Sequence, residues 1–231
     1  MQGLYFTNNR DEKQKYPILE DQLKQFPKIM AGKYLLNFFF TESKESFFKR
    51  GDNFISNLGV FIYKNNFNKK ALSLFMNDLA SGIKLKDLLL SKNTRGQFIL
   101  ILYYQNRLQI ITDRLGYFPL YYFKKGEKYS FSNSMLTLAK NNKVTLNYVG
   151  IAQYLSENYR HITYACCDQN IFNEINYLKA GTIYSLLDDK VIEEKYFDIK
   201  NEISIGKYNS TDQIVANVES ILTENLSFLK N

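Results

Sequence analysis

Apolar residues fall along this chain in short dense runs broken by Gly, Asn and Lys, a pattern of strands and turns with a few helix-spaced stretches. Residues 3–7 read as a first strand, 18–26 as a helix broken before Pro27, and 34–41 as a strand of almost unbroken apolar character. Another strand is predicted over 53–63. Residues 68–79 place Leu72, Phe75, Met76 and Leu79 at helical spacing, which marks a core face, with Ser81-Gly82 as a stop. A further short helix is predicted over 85–90.

Past this point the spelling becomes more specific. Arg95-Gly96-Gln97-Phe98 opens an apolar run over 98–104, Asn106-Arg107 separates it from a second over 108–112, and Asp113-Arg114-Leu115-Gly116-Tyr117-Phe118-Pro119-Leu120-Tyr121-Tyr122 follows. The Asp113 carboxylate can accept N–H bonds from the turn it opens, and Gly116 can take a positive φ, so the chain can reverse into a strand at 120–123. The segment reads as a corner between buried strands. Asn147 is a good N-cap for a helix over 148–155 that carries Val149, Ile151, Ala152 and Leu155. Strands at 182–187 and 191–196 flank Asp188-Asp189 as a hairpin tip, where paired carboxylates are solvated and make no acid–base site. Glu193-Glu194 reads as one solvated face. Ser210 with Gln213 forms a capping box for a helix over 212–229, whose Ile214, Val218, Ile221, Leu222 and Leu229 line one stripe.

Composition limits the function classes. At 231 residues and 45% hydrophobic the chain can build a large core as a single compact domain. The net charge of +7 raises the question of a nucleic-acid partner. The lysines, however, cluster at predicted turns and helix ends (Lys69-Lys70, Lys124-Lys125, 140–143), and no basic helix or aromatic-basic motif appears, which argues against one. No apolar run approaches the ~20 residues of a membrane helix, and the start lacks a signal-peptide layout, so a soluble, cytoplasmic protein without a membrane partner is expected. Cys166 and Cys167, being adjacent, suit neither an ordinary disulfide nor a metal knuckle and are expected to be reduced thiols. His161 has no histidine partner. No metal and no cofactor is expected in this chain.

The corner and its surroundings resemble the glutaminase-like (class II glutamine amidotransferase, Ntn hydrolase) N-terminal domain of the asparagine synthase family. Gly96-Gln97-Phe98-Ile99, Thr112-Asp113-Arg114-Leu115-Gly116, Pro119-Leu120-Tyr121-Tyr122 and the segment from Phe131-Ser132-Asn133-Ser134 to Ala139-Lys140 match that family's motifs in order. The likeness continues through Leu146-Asn147, Ile171-Phe172, Ile175, Leu178, Ala180-Gly181 and Tyr196-Phe197-Asp198, covering residues 95–198. It implies an α+β fold, a four-layer αββα sandwich of two antiparallel sheets, with Gly96, Asp113, Arg114, Gly116, Pro119 and Tyr121 as its structural motif.

The resemblance also implies what the chemistry would require. The family attacks glutamine with a Cys that directly precedes a Gly-hydrophobic pair and whose own α-amine manages the proton. Here Gly3-Leu4 follows Gln2, and a carboxamide is not a nucleophile; its bulk should also disfavour removal of Met1. The loop whose Arg holds the substrate carboxylate has no counterpart, and the oxyanion-hole loop survives only as Gly59-Val60-Phe61-Ile62-Tyr63 without its Asn-Gly pair. No catalytic residue is therefore expected. The domain is drawn over 1–209, with 210–231 as a connector helix towards a synthetase domain. The chain carries no ATP-binding loop of that domain, nor any other phosphate loop, and reads as part of a longer protein or as a stand-alone remnant. The function expected is that of a degenerate amidotransferase-like domain supporting an asparagine synthase-type, ATP-dependent amide ligase, as in the β-lactam synthetases and lasso-peptide cyclases. Its partner would be the synthetase domain or a second copy through the C-terminal helix. Two alternatives remain open: an amidohydrolase with another nucleophile (Ser, Thr or Cys166), and a scaffold protein.

Overall fold

A computed structural model describes residues 2–7, 24–25, 29–31, 34–40, 46–155, 170–187, 190–202 and 210–227. The predicted Asp188-Asp189 tip, His161, Cys166, Cys167 and Leu229 lie outside them.

Two antiparallel sheets carry the fold. The first is built from β1 (Gln2–Thr7), β2 (Lys24–Gln25), β3 (Ile29–Ala31), β4 (Tyr34–Phe40), β10 (Tyr121–Lys125), β11 (Lys128–Ser132) and β12 (Ile175–Tyr177). Its order is β12-β10-β11-β1-β4-β2, with β3 also on β4. The second comprises β5 (Phe47–Arg50), β6 (Asn53–Tyr63), β7 (Asn66–Phe67), β8 (Thr94–Tyr104), β9 (Arg107–Thr112), β13 (Thr182–Leu187) and β14 (Lys190–Lys195), in the order β14-β13-β9-β8-β6-β5 with β7 on β6. The helices are α1 (Asn68–Ala80), α2 (Leu85–Leu90), α3 (Met135–Asn141), α4 (Tyr148–Leu155), α5 (Ile199–Glu202) and α6 (Thr211–Ser227).

Three apolar layers explain why these segments become strands and helices. Between the sheets lie Leu4, Leu36 and Phe131 from the first and Phe54, Leu58, Ile99 and Ile101 from the second. On the far side of the second sheet, Phe98, Leu100 and Leu102 of β8 meet Leu72, Phe75 and Met76 of α1 and Leu88 and Leu89 of α2. On the far side of the first, Tyr5, Phe123 and Ile175 meet Leu138 of α3. The result is a four-layer αββα sandwich. Strand β8 is central and covered on both faces, so it reads as a continuous apolar run rather than an alternating one. Each of these large side chains, fully buried, contributes about 1.5–3 kcal/mol.

Several local expectations change. Lys24 and Gln25, placed in a helix by the sequence, form β2 against Phe40 and Phe39 of β4, because an available apolar strand edge overrides a weak helical pattern. The turn between β8 and β9 is Gln105-Asn106, both at positive φ (49° and 62°), so Arg107 pairs with Tyr104 inside the ladder instead of sitting in the turn. Glu193 and Glu194 do not share a face: consecutive strand residues point oppositely, and Glu193 accepts a hydrogen bond from Lys179 Nζ at 3.0 Å. On α4 only Gly150 is buried, and Val149 and Leu155 stay 59% and 62% exposed, so that helix presents its apolar residues outward.

The chain divides into two compact units, Met1–Phe197 and Asp198–Asn231, ahead of the 209/210 boundary drawn from the sequence. Within the second, Ser210 caps α6 by accepting from Gln213 N at 3.3 Å, and Ile214, Val215 and Val218 are about half exposed. No helix among the described residues is long and apolar enough to cross a membrane.

Candidate functional site

One end of the sandwich gathers the motifs singled out in the sequence. Strand β1 starts there with Gln2, paired to Phe40, and its Tyr5 lies beside Ser132, which in turn pairs with Tyr121 at the start of β10. Beyond β11 the chain turns through Asn133 and Ser134 into α3. Asn133 Oδ1 accepts from Leu4 N at 2.9 Å, Ser132 Oγ from Ser134 N at 3.1 Å, and Ser134 Oγ caps α3 by accepting from Thr137 N at 3.3 Å. These polar side chains fasten the start of β1 to the start of α3.

The corner at 113–120 closes the same end. Buried Asp113 accepts three backbone bonds: Oδ1 from Leu115 N (3.0 Å) and Tyr117 N (3.2 Å), Oδ2 from Phe118 N (3.2 Å). Its own carbonyl accepts from Gly116 N and from Gly181 N at 2.9 Å. Gly116, at φ 67°, lies against Ala180. Arg114 reaches sideways, donating from Nη2 to the carbonyls of Leu89 and Ser91, both at 2.8 Å, and stands 5.8 Å from the Phe197 ring centroid. It thereby satisfies carbonyls at the C-terminal end of α2. Pro119 is exposed at the end of the corner. Tyr121 packs on Tyr177, their hydroxyls 3.1 Å apart.

A second layer of anchors gives Thr112 and Tyr196, quoted above only as matching residues, a role that the sequence did not declare. Thr112 Oγ1 donates to Lys179 O at 2.7 Å and accepts from Thr182 N at 3.0 Å, and Tyr196 Oη donates to Thr112 O at 2.7 Å. Burial raises the Tyr196 hydroxyl well above its ordinary pKa, so it stays a neutral donor. These partners lie far apart in sequence, and no local pattern marks their pairing.

Gly59 and Gly96 sit where β6 and β8 cross closest. Both have positive φ (79° and 112°), and a Cβ on either would strike the opposing strand, on Gln97 O and Val60 O respectively. The Phe118 ring lies directly over Gly59, 2.8 Å from where its Cβ would be. Outside this crossing, Thr94, Gly96, Gln97, Arg114, Tyr117 and Phe197 contribute to an open cleft of about 490 Å³. Phe61 and Tyr63, on the same stretch of β6, are core residues against Phe75. Among the described residues no group of His, Cys, Asp or Glu could hold a metal.

Residues 87–197 match a family model described as a glutamine amidotransferase domain, a span that runs from α2 through the corner to the end of the first compact unit. No curated protein matches the chain. Among solved structures it is similar to glutamine phosphoribosylpyrophosphate amidotransferase from B. subtilis complexed with ADP and GMP, at 11% identity and a TM-score of 0.37 over 71% of this chain and 35% of that one. It is also similar to a structure of the allosteric regulatory enzyme of purine biosynthesis, at 9% identity and a TM-score of 0.35 over 70% and 35%. The chain thus spans about a third of the length of either. In class, the molecule is a four-layer αββα sandwich of two antiparallel sheets. More particularly, its 87–197 stretch is similar to a glutamine amidotransferase domain.

Proposed function

We propose that this chain is a catalytically silent amidotransferase-like module that supports an asparagine synthase-type, ATP-dependent amide ligase. The observation that carries the reading is Gln2: it heads β1 immediately before Gly3-Leu4, where the resembled family places its nucleophilic Cys. A carboxamide there can neither attack a glutamine amide nor leave as a thiolate would. Three features support it. Phe118 covers Gly59 at the crossing where the oxyanion loop would lie, Asn133 and Ser134 are engaged in fastening β1 and α3, and the Asp113 carboxylate is taken up by three backbone donors. The module works in the cytoplasm without a cofactor of its own, and the half-exposed Ile214, Val215 and Val218 of α6 offer the surface for a synthetase domain or a second copy.

The test is a glutaminase assay on the purified chain, following ammonia and glutamate. Neither should rise above a buffer control, and Gln2→Cys alone should not restore activity, because nucleophile, substrate clamp and oxyanion donors act as a unit. A steady-state rate abolished by Gln2→Ala would overturn the reading. For the partner, removal of residues 210–231 should abolish association with a co-expressed synthetase domain or with itself, while the melting of the remaining domain is unchanged.

A further inference from the structure

Two lysine clusters that the sequence leaves at separate turns meet in space. Lys125 and Lys128 flank the β10–β11 turn, Lys140 lies in the last turn of α3, and Lys143 follows it; together with Phe123, Asn141 and Asn142 they line an open cleft of about 510 Å³. This cleft shares no lining residue with the one beside the corner. No ion pair among the described residues holds Lys125, Lys140 or Lys143. Facing them are two carboxylates. Glu127 sits on the hairpin turn, and Glu174 accepts from the Thr145 N–H at 2.8 Å and its hydroxyl at 3.0 Å while also feeling the charge of Lys125. The C-terminal end of α3 adds partial negative charge, which Lys140 offsets. Four ammonium groups still outnumber the opposing charges.

We propose that this cleft binds a compact oligophosphate anion. Its donors decide the class of ligand. Asn141 and Asn142 each give one amide N–H to Thr137 O and Leu138 O, both at 2.9 Å, and the cleft's cationic donors are all ammonium groups. Ammoniums are compact, non-directional charges that favour dense multivalent anions over a single planar carboxylate. The lining argues against a single-stranded nucleic-acid track. The aromatic residue of the cleft, Phe123, is buried and has Lys128 Nζ 6.0 Å from its ring centroid, so it offers no face on which a base could stack.

The experiment is titration of the full chain with inorganic tripolyphosphate, by calorimetry and by amide chemical shifts, with citrate and a single-stranded oligonucleotide as parallel probes. Tripolyphosphate should bind with one-to-one stoichiometry, shift amides around Phe123, Lys128 and Asn142, and weaken steeply with added salt. The double variant Lys125→Ala/Lys143→Ala should weaken it roughly tenfold with unchanged melting, while Lys69→Ala/Lys70→Ala on α1 leaves it intact. Equal losses in both variants, shifts scattered over the surface, equal binding of citrate, or tighter binding of the oligonucleotide would each overturn the proposal. The glutaminase assay is independent of every one of these outcomes.

Discussion

Gly116 and Ala180 meet at the corner so closely that a Cβ on Gly116 would stand 3.0 Å from the Ala180 Cβ, while the backbone there holds φ at 67°. Two penalties therefore coincide at one residue: the left-handed backbone that β-carbons resist, and a contact with no slack. Gly116→Ala should destabilise by about 1–3 kcal/mol and Gly116→Val by more. Ala180→Gly should recover part of the Gly116→Ala loss, since it removes the contact but not the backbone strain. Urea melts of the two single variants and the double variant resolve the two terms; full recovery or none would show that one of them is absent.

The three backbone bonds to the Asp113 carboxylate make a second expectation. Asp113→Ala leaves three donors in a part-buried turn without their acceptor and should cost about 2–4 kcal/mol. Asp113→Asn should cost less, because its carbonyl oxygen can keep Leu115 and Tyr117 while its amide nitrogen cannot accept from Phe118. Thermal melts in which Asn and Ala are equally harmful would contradict this division of labour.

Arg114 is expected to act through geometry rather than charge alone. Its Nη2 donates to both Leu89 O and Ser91 O while Nε gives Leu89 O a second bond at 3.3 Å, a planar arrangement that a lysine ammonium does not reproduce. Arg114→Lys should lose about 1–2 kcal/mol and loosen α2 first, seen as faster amide exchange at Ser91 than in the central strands. Uniform exchange throughout the domain would argue that Arg114 does not hold that end.

Acid should probe the junction of β6 with α1. The Asp78 carboxylate is bonded by Lys64 Nζ at 2.7 Å and Tyr63 Oη at 2.6 Å, and the lysine, then the tyrosine, hold it below its ordinary value of 3.8. A carboxyl lowered in the folded state stabilises above its unfolded value, and that contribution disappears as pH falls through the folded one. Wild type and Asp78→Asn should therefore differ at neutral pH and begin to converge only as pH falls below 3.8, as followed by melting temperature against pH. A gap that stays constant into acid would remove Asp78 as the cause.

Much of the fold is legible in the sequence because its determinants are local. The strand over 53–63 coincides with β6 and the helix over 85–90 with α2, since apolar runs and turn residues set them within a few neighbours. Asp113 and Gly116 declare their roles for the same reason, one supplying acceptors to the next residues and the other a backbone region closed to most side chains. Lys24 and Gln25 were misread because a two-residue strand exists only where β4 offers it an edge. Glu193 and Glu194 were misread because pairing with β13 sends neighbouring side chains to opposite sides.

The apolar rhythm that makes two buried sheets, the corner that joins them, and the carboxamide ahead of Gly3-Leu4 are all present in the order of residues. That Phe118 lies over Gly59, that Arg114 serves the end of α2, that Tyr196 anchors Thr112, and that Lys125 and Lys143 share a cleft follows only from the packed fold. Backbone conformation and burial are written in residue type and spacing, whereas contacts between distant segments depend on how two twisted sheets and their helices stack, which no single stretch of chain encodes.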